Sequence, residues 1–163
     1  MNSRPQPSRD PVCGMAVSGS AYTATHHGTT FHFCSAQCLT RFLESPALYA
    51  GAPLSPQAVR ALIKRRVLRI EHGPGLDEAC RRIEAMMGVM DVRADRNRLL
   101  IEYDLRQASL AQIEAELQAA GIVIRGGLHA LRRSLWRFTE HNELDNAAHG
   151  GPQACCNRPP TPR

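Results

Sequence analysis

The chain has almost no lysine, few aromatic residues and no long apolar run, and each shortage narrows what it can be. Lys64 is the sole lysine among 20 basic residues, so the net charge of +5 is carried by arginine. No recognition-helix pattern or aromatic platform accompanies that charge. Nucleic acid is therefore not an expected partner, and the surplus arginine reads as a solvated surface. Aromatic residues make up 5% of the 163 positions, which points to a modest, aliphatic core. No stretch approaches the ~20 apolar residues that a membrane-spanning helix needs. The opening MNSRPQPSRD lacks the apolar segment of a secretory signal. The expected compartment is the cytoplasm, where cysteines stay reduced and open to metal. No carboxylate pair stands beside a His or Ser in a hydrolytic pattern, and Gly126-Gly127 alone makes no phosphate cradle. No enzymatic activity is expected.

Six cysteines stand against these absences. Cys13, Cys34 and Cys38 form a C-x20-C-x3-C array in DPVCGMAV and TFHFCSAQCLTRF. Thiolates suit Cu(I), Zn(II) and other soft or borderline ions, which makes these three the candidate metal ligands. The C-x3-C step sets two sulfurs one helical turn apart at a helix entry, where the helix dipole is expected to favour thiolate. Three sulfurs complete a trigonal Cu(I) site, whereas structural zinc takes a fourth ligand. His32 is a candidate for that place, on the same strand face as Cys34, as is Met15 near Cys13; His26 and His27 are further options. Each of them also reads as a surface or packing residue. Cys80 reads as a small buried hydrophobe on a helix. Cys155-Cys156 reads equally as a soft-ion capture site and as an oxidisable end.

Along the chain, residues 1–9 are polar and Pro-rich and are expected to be disordered. Residues 10–50 form a first module. Tyr22 to Thr25 and Thr29 to Cys34 are strands about a His27-Gly28 turn, with Phe31 and Phe33 on one face. Ser35 caps a helix to about Glu44 that buries Leu39, Phe42 and Leu43. Residues 51–65 are a connector, with a short helix from Ser55-Pro56 through Lys64. Residues 66–126 alternate element types. Val67 to Glu71 is a strand, Leu76 to Met87 a helix, and Val89 to Ala94 and Leu99 to Tyr103 are strands. A capping box at Ser109 to Gln112 opens another helix, and Ile122 to Ile124 is a last strand. This β-α-β-β-α-β order is that of a ferredoxin-like unit, so the chain is expected to be α+β. Residues 127–141 form an amphipathic helix with Leu128, Leu131, Leu135 and Phe138 on one face. Packing of that helix on the sheet is favoured over docking to a partner or membrane. Residues 142–163 are a Gly/Pro-rich flexible tail.

DPVCGM followed by FHFCSAQC and a Pro-Ala-Leu-Tyr stretch closely resembles the YHS family, related to TRASH-type heavy-metal domains. The resemblance covers about residues 10–50 and implies a soft-metal module used in trafficking, resistance or sensing. Residues 66–126 resemble the heavy-metal-associated domain of copper chaperones and metal-transport ATPases, on their Ile-Glu, Gly-Val and Tyr-Asp landmarks. The positions where that family carries its CxxC are Leu76 and Ala79 here, and Cys80 lies one residue off. The two resemblances together imply a carrier of Cu(I) or Zn(II) serving as chaperone, buffer or accessory factor. Its partner would be a metal-transporting ATPase or another metal-trafficking protein. The alternative is a metal-responsive module that regulates a transporter or a transcription factor.

Overall fold

Two small antiparallel pairs open the chain in the computed structural model, which describes residues 8–19, 21–50, 61–71 and 73–149. Ser8–Arg9 (β1) pairs with Ala16–Val17 (β2), and Tyr22–His26 (β3) pairs with Thr29–Phe33 (β4). The β3–β4 loop is two residues long, with His27 at φ 48° and Gly28 at φ 77°. Positive φ at both positions matches the tight hairpin turns whose twist suits paired strands. Ser8 and Arg9 thus belong to a strand, not to a disordered start. Residues 1–7 lie outside the described residues.

Ala36–Glu44 (α1) follows, with Ser35 as its cap accepting from the Cys38 amide at 3.3 Å. Pro46–Ala50 (α2) completes the first module. Phe33, Phe42 and Leu48 are fully buried, and the Phe31 and Phe33 rings each lie 5.0 Å from Phe42. The expected apolar face of α1 needs one correction. Leu43 is 60% exposed, and Arg41 is buried in its place. The Arg41 guanidinium donates to the Leu105 carbonyl and pairs with Glu44, so the buried charge is satisfied.

Ile63–Arg69 (β5), Leu76–Glu84 (α3), Val89–Asp95 (β6), Arg98–Asp104 (β7) and Leu110–Ala119 (α4) build the second module. Its antiparallel sheet runs β5-β7-β6. Along β7, Leu99, Ile101 and Tyr103 are buried while Arg98 and Leu100 face outward, the period of two that one covered face requires. The helices cover that face with Leu76, Ala79, Ile83, Leu110, Ile113 and Leu117, all buried. Ser109 and Gln112 exchange side-chain and backbone bonds, which closes the capping box.

The structure is α+β, with three differences from expectation in this region. The connector helix does not reach Lys64, because Ile63 and Lys64 are already paired in β5; residues 51–60 lie outside the described residues. Helix α3 ends at Glu84, short of Met87. The last strand, expected at Ile122 to Ile124, is reduced to one antiparallel bridge between Ile70 and Ile124, flanked by backbone bonds Glu71 N–H to Val123 and Arg125 N–H to Arg69.

Leu128–His149 (α5) runs through residues 142–149, where a flexible tail was expected; residues 150–163, with Cys155 and Cys156, lie outside the described residues. It packs against the sheet, but not through its leucine face. Leu128, Leu131, Leu135 and Phe138 are 87%, 69%, 58% and 62% exposed. The inward side combines buried Leu144 with a set of polar groups. His129 Nε2 accepts from the Arg69 amide at 2.9 Å, and Glu140 accepts from Tyr103 Oη at 2.5 Å and the Leu110 amide at 3.1 Å. Buried Glu114 takes Arg133 at 2.8 Å and Arg137 at 2.7 Å, and Trp136 lies between the Arg66 and Arg132 guanidiniums. Apolar periodicity marks which side of a helix is greasy; partners on the sheet decide which side is covered. Among the described residues, no helix is long and apolar enough to cross a membrane.

Candidate metal centre

Cys13 stands on the loop between β1 and β2. Gly14, at φ 76°, lets that loop turn sharply, and its amide donates to the Asp10 carbonyl at 2.8 Å. Cys34 follows directly on β4, and Cys38 lies within the first turn of α1. The fold brings the three together. Sγ of Cys13 and Sγ of Cys34 are 3.6 Å apart, and Sγ of Cys34 and Sγ of Cys38 are 3.7 Å apart. None is in a disulfide; Cys38 is buried and the other two are half-buried.

A fourth group, not foreseen from the sequence, sits among them. Asp10 is 1% exposed, and its carboxylate, with the three sulfurs, forms a set whose ligand atoms all lie within 4.8 Å. Oδ1 accepts the amides of Val12 at 2.8 Å and Cys13 at 3.3 Å, and Oδ2 accepts the Cys34 amide at 2.8 Å. Asp10 therefore stitches the Cys13 loop to the Cys34 strand end. The local signal is an Asp two and three residues ahead of the amides it caps, followed by Pro. Burial pushes the Asp10 carboxyl toward its neutral form, but the Cys34 and Val12 amides outweigh that and hold it below its ordinary value.

The thiols respond in the opposite sense. Burial, joined by the neighbouring Cys34 and the Asp10 charge, pushes Cys13 up to about 11 against a bond from the Met15 amide. Burial and the Asp10 charge push Cys38 far higher still. The expectation that the dipole favours thiolate at this helix entry does not hold for Cys38, where desolvation and a buried anion outweigh the dipole. Cys13 and Cys38 are protonated at neutral pH until an ion displaces the protons.

Of the proposed fourth ligands, His32 is not a member of the clustered set, and Met15 is 54% exposed. His26 and His27 occupy the hairpin tip, with the His26 ring edge-on to Phe42. Cys80 is half-buried on α3 and packs against the core, outside the cluster.

The second module closes over the site. Gln37, one residue before Cys38, accepts the Met87 amide at 3.0 Å and donates to the carbonyls of Met87 at 2.7 Å and Gln107 at 3.0 Å. Tyr49 Oη donates to the Arg106 carbonyl at 2.6 Å. Met87 Sδ lies 3.7 Å from Cys38 Sγ. These partners are separated by 49 residues or more in the chain, and nothing local announces them.

Residues 8–53 match the YHS domain family. A 46-residue stretch is 44% identical to a copper-transporting P-type ATPase of Rhizobium leguminosarum bv. viciae, covering 27% of this chain and 6% of that protein. The chain thus spans a small fraction of that transporter's length. The solved structure of the CsoZ metallochaperone aligns over 40% of this chain and all of its own, at 23% identity and a TM-score of 0.36.

Proposed function

We propose that this chain is a soft-metal carrier, for copper first and zinc second, acting as a chaperone, buffer or accessory factor in metal trafficking or resistance. The observation that carries this is the convergence of Cys13, Cys34 and Cys38, with sulfurs 3.6 and 3.7 Å apart in sequence-distant segments. The YHS match and the copper-transporting relative support a metal of that class. The carrier is no enzyme and works in the cytoplasm. The second module, ferredoxin-like in element order, serves as the docking surface for a metal-transporting ATPase or another trafficking protein. Release proceeds by ligand exchange. An incoming thiolate adds to the ion before a resident sulfur leaves, and the departing cysteine takes back a proton, which its raised pKa favours.

A regulatory role draws on a separate observation: Gln37 and Arg41, on the helix that carries Cys38, are bonded to the second module. Ion binding there would be felt by both modules. A carrier passes its ion to an apo partner domain within minutes; a sensor keeps the ion and changes partner affinity. The primary test is anaerobic purification with elemental analysis of wild type and Cys34→Ser. Near-stoichiometric copper or zinc in the wild type, largely lost in the variant, supports the proposal, and equal metal content removes Cys34 from the site.

A further inference from the structure

We infer that Met87, from the second module, is the fourth sulfur donor of this centre, and that the completed site selects Cu(I) over Zn(II). The inference rests on the metal-carrier reading above and adds a ligand from outside the matched family region, residues 8–53.

The geometry points to Met87 first through distance. Metal–sulfur bonds of about 2.3 Å around one tetrahedral ion place neighbouring sulfurs about 3.8 Å apart, whereas a trigonal plane places them about 4.0 Å apart. The separations Cys13–Cys34, Cys34–Cys38 and Cys38–Met87 are 3.6, 3.7 and 3.7 Å. Three sulfur–sulfur contacts therefore run in an unbroken series from Cys13 through Cys34 and Cys38 to Met87, each close to the spacing that ligands of one ion take.

Met87 is also held firmly in place. Gln37 grips both backbone groups of Met87 and uses its remaining N–H on Gln107. The clamp stands next to Cys38 in sequence, so the helix that presents one ligand also positions the other. The chain then turns at Gly88, with φ 87°, where a Cβ would sit 2.5 Å from Gln107 Cβ. Only glycine fits both demands, so Met87 is fixed from both sides.

A thioether is a soft neutral donor that suits Cu(I), while zinc centres take thiolate, imidazole or carboxylate. A fourth thiolate would add negative charge beside the buried Asp10 carboxylate; a thioether adds none. Asp10 already serves the scaffold, with each of its oxygens accepting at least one backbone amide. A bound ion would then take ligands from both modules at once.

Anaerobic NMR of the full chain with methyl-13C methionine, titrated separately with Cu(I) and Zn(II), tests this. Met87→Leu identifies the signal and preserves volume, and Met15→Leu is the control. We expect the Met87 methyl to shift in step with Cu(I) up to one equivalent. Met87→Leu should weaken Cu(I) about tenfold or more in competition with a chromogenic chelator, the scale of a lost supporting ligand, while leaving Zn(II) affinity unchanged. Met15→Leu should change neither. An unmoved Met87 methyl with unchanged Cu(I) affinity in Met87→Leu overturns the inference. If Cys34→Ser still abolishes binding in that case, the three-cysteine site survives without Met87. If Cys34→Ser also binds normally, both fall.

Discussion

Replacing Asp10 with Ala removes the acceptor for three amides on two segments of the first module. The two bonds at 2.8 Å matter most; the Cys13 contact, at 3.3 Å, is long. Val12 is buried, so its amide has no water to turn to, while the Cys34 amide is half-buried. Hydrogen bonds to a charged acceptor contribute about 1.5–3 kcal/mol each, and partial rescue by water at Cys34 brings the expected loss to about 2–4 kcal/mol. A module of this size has only a few kcal/mol to lose. Urea unfolding of metal-free Asp10→Ala, followed by far-UV circular dichroism, should show an early transition absent from wild type. Asp10→Asn keeps one carbonyl acceptor and should fall between the two. Because the native carboxyl is held below its ordinary value, its contribution is complete above the usual carboxylate range and drains away as pH falls through the lowered native value. Wild type and Asp10→Ala should therefore converge in stability in strong acid. Coincident urea curves at neutral pH would refute the assignment of Asp10 as the stitch.

Two further outcomes are expected. With Cys13 and Cys38 protonated in the free site, ion binding releases at least two protons, so apparent affinity should climb at least about 100-fold per pH unit near neutrality; an affinity flat with pH, measured in a metal-buffered titration, would contradict the raised thiol values. On α5, Leu131→Asp or Phe138→Asp should leave stability within about 0.5 kcal/mol, whereas Glu140→Ala should cost about 3–5 kcal/mol by stranding Arg66 and the Leu110 amide. Thermal melts showing the reverse order would mean that the leucine face is the covered one.

What could be read from the chain alone was local. The cysteine spacing, the Ser35 cap, the His27-Gly28 hairpin and the Ser109 capping box all depend on residues a few positions apart. The alternation in β7 and the helical repeat in α3 are likewise written in the residues that make them. The Asp10 turn onto the Val12 and Cys13 amides is equally local, whereas its hold on the Cys34 amide spans 24 residues. Met87 and Gln37 could not be read, since their meeting is created by the docking of one module on the other. The ionisation of Cys38 depends on burial and on an anion from a distant loop, neither visible at a helix entry. The orientation of α5 misled because its most apolar side faces water and its charged side is tied down by Tyr103, the Leu110 amide and Glu114.

X-ray absorption of the anaerobic, Cu(I)-loaded full chain probes the sulfur cluster most directly. One bound copper surrounded by sulfur alone at about 2.3 Å, with loading lost in each of Cys13→Ser, Cys34→Ser and Cys38→Ser, is the expected result. Nitrogen or oxygen scattering in the wild type, or full copper loading after all three cysteines are replaced, would contradict it.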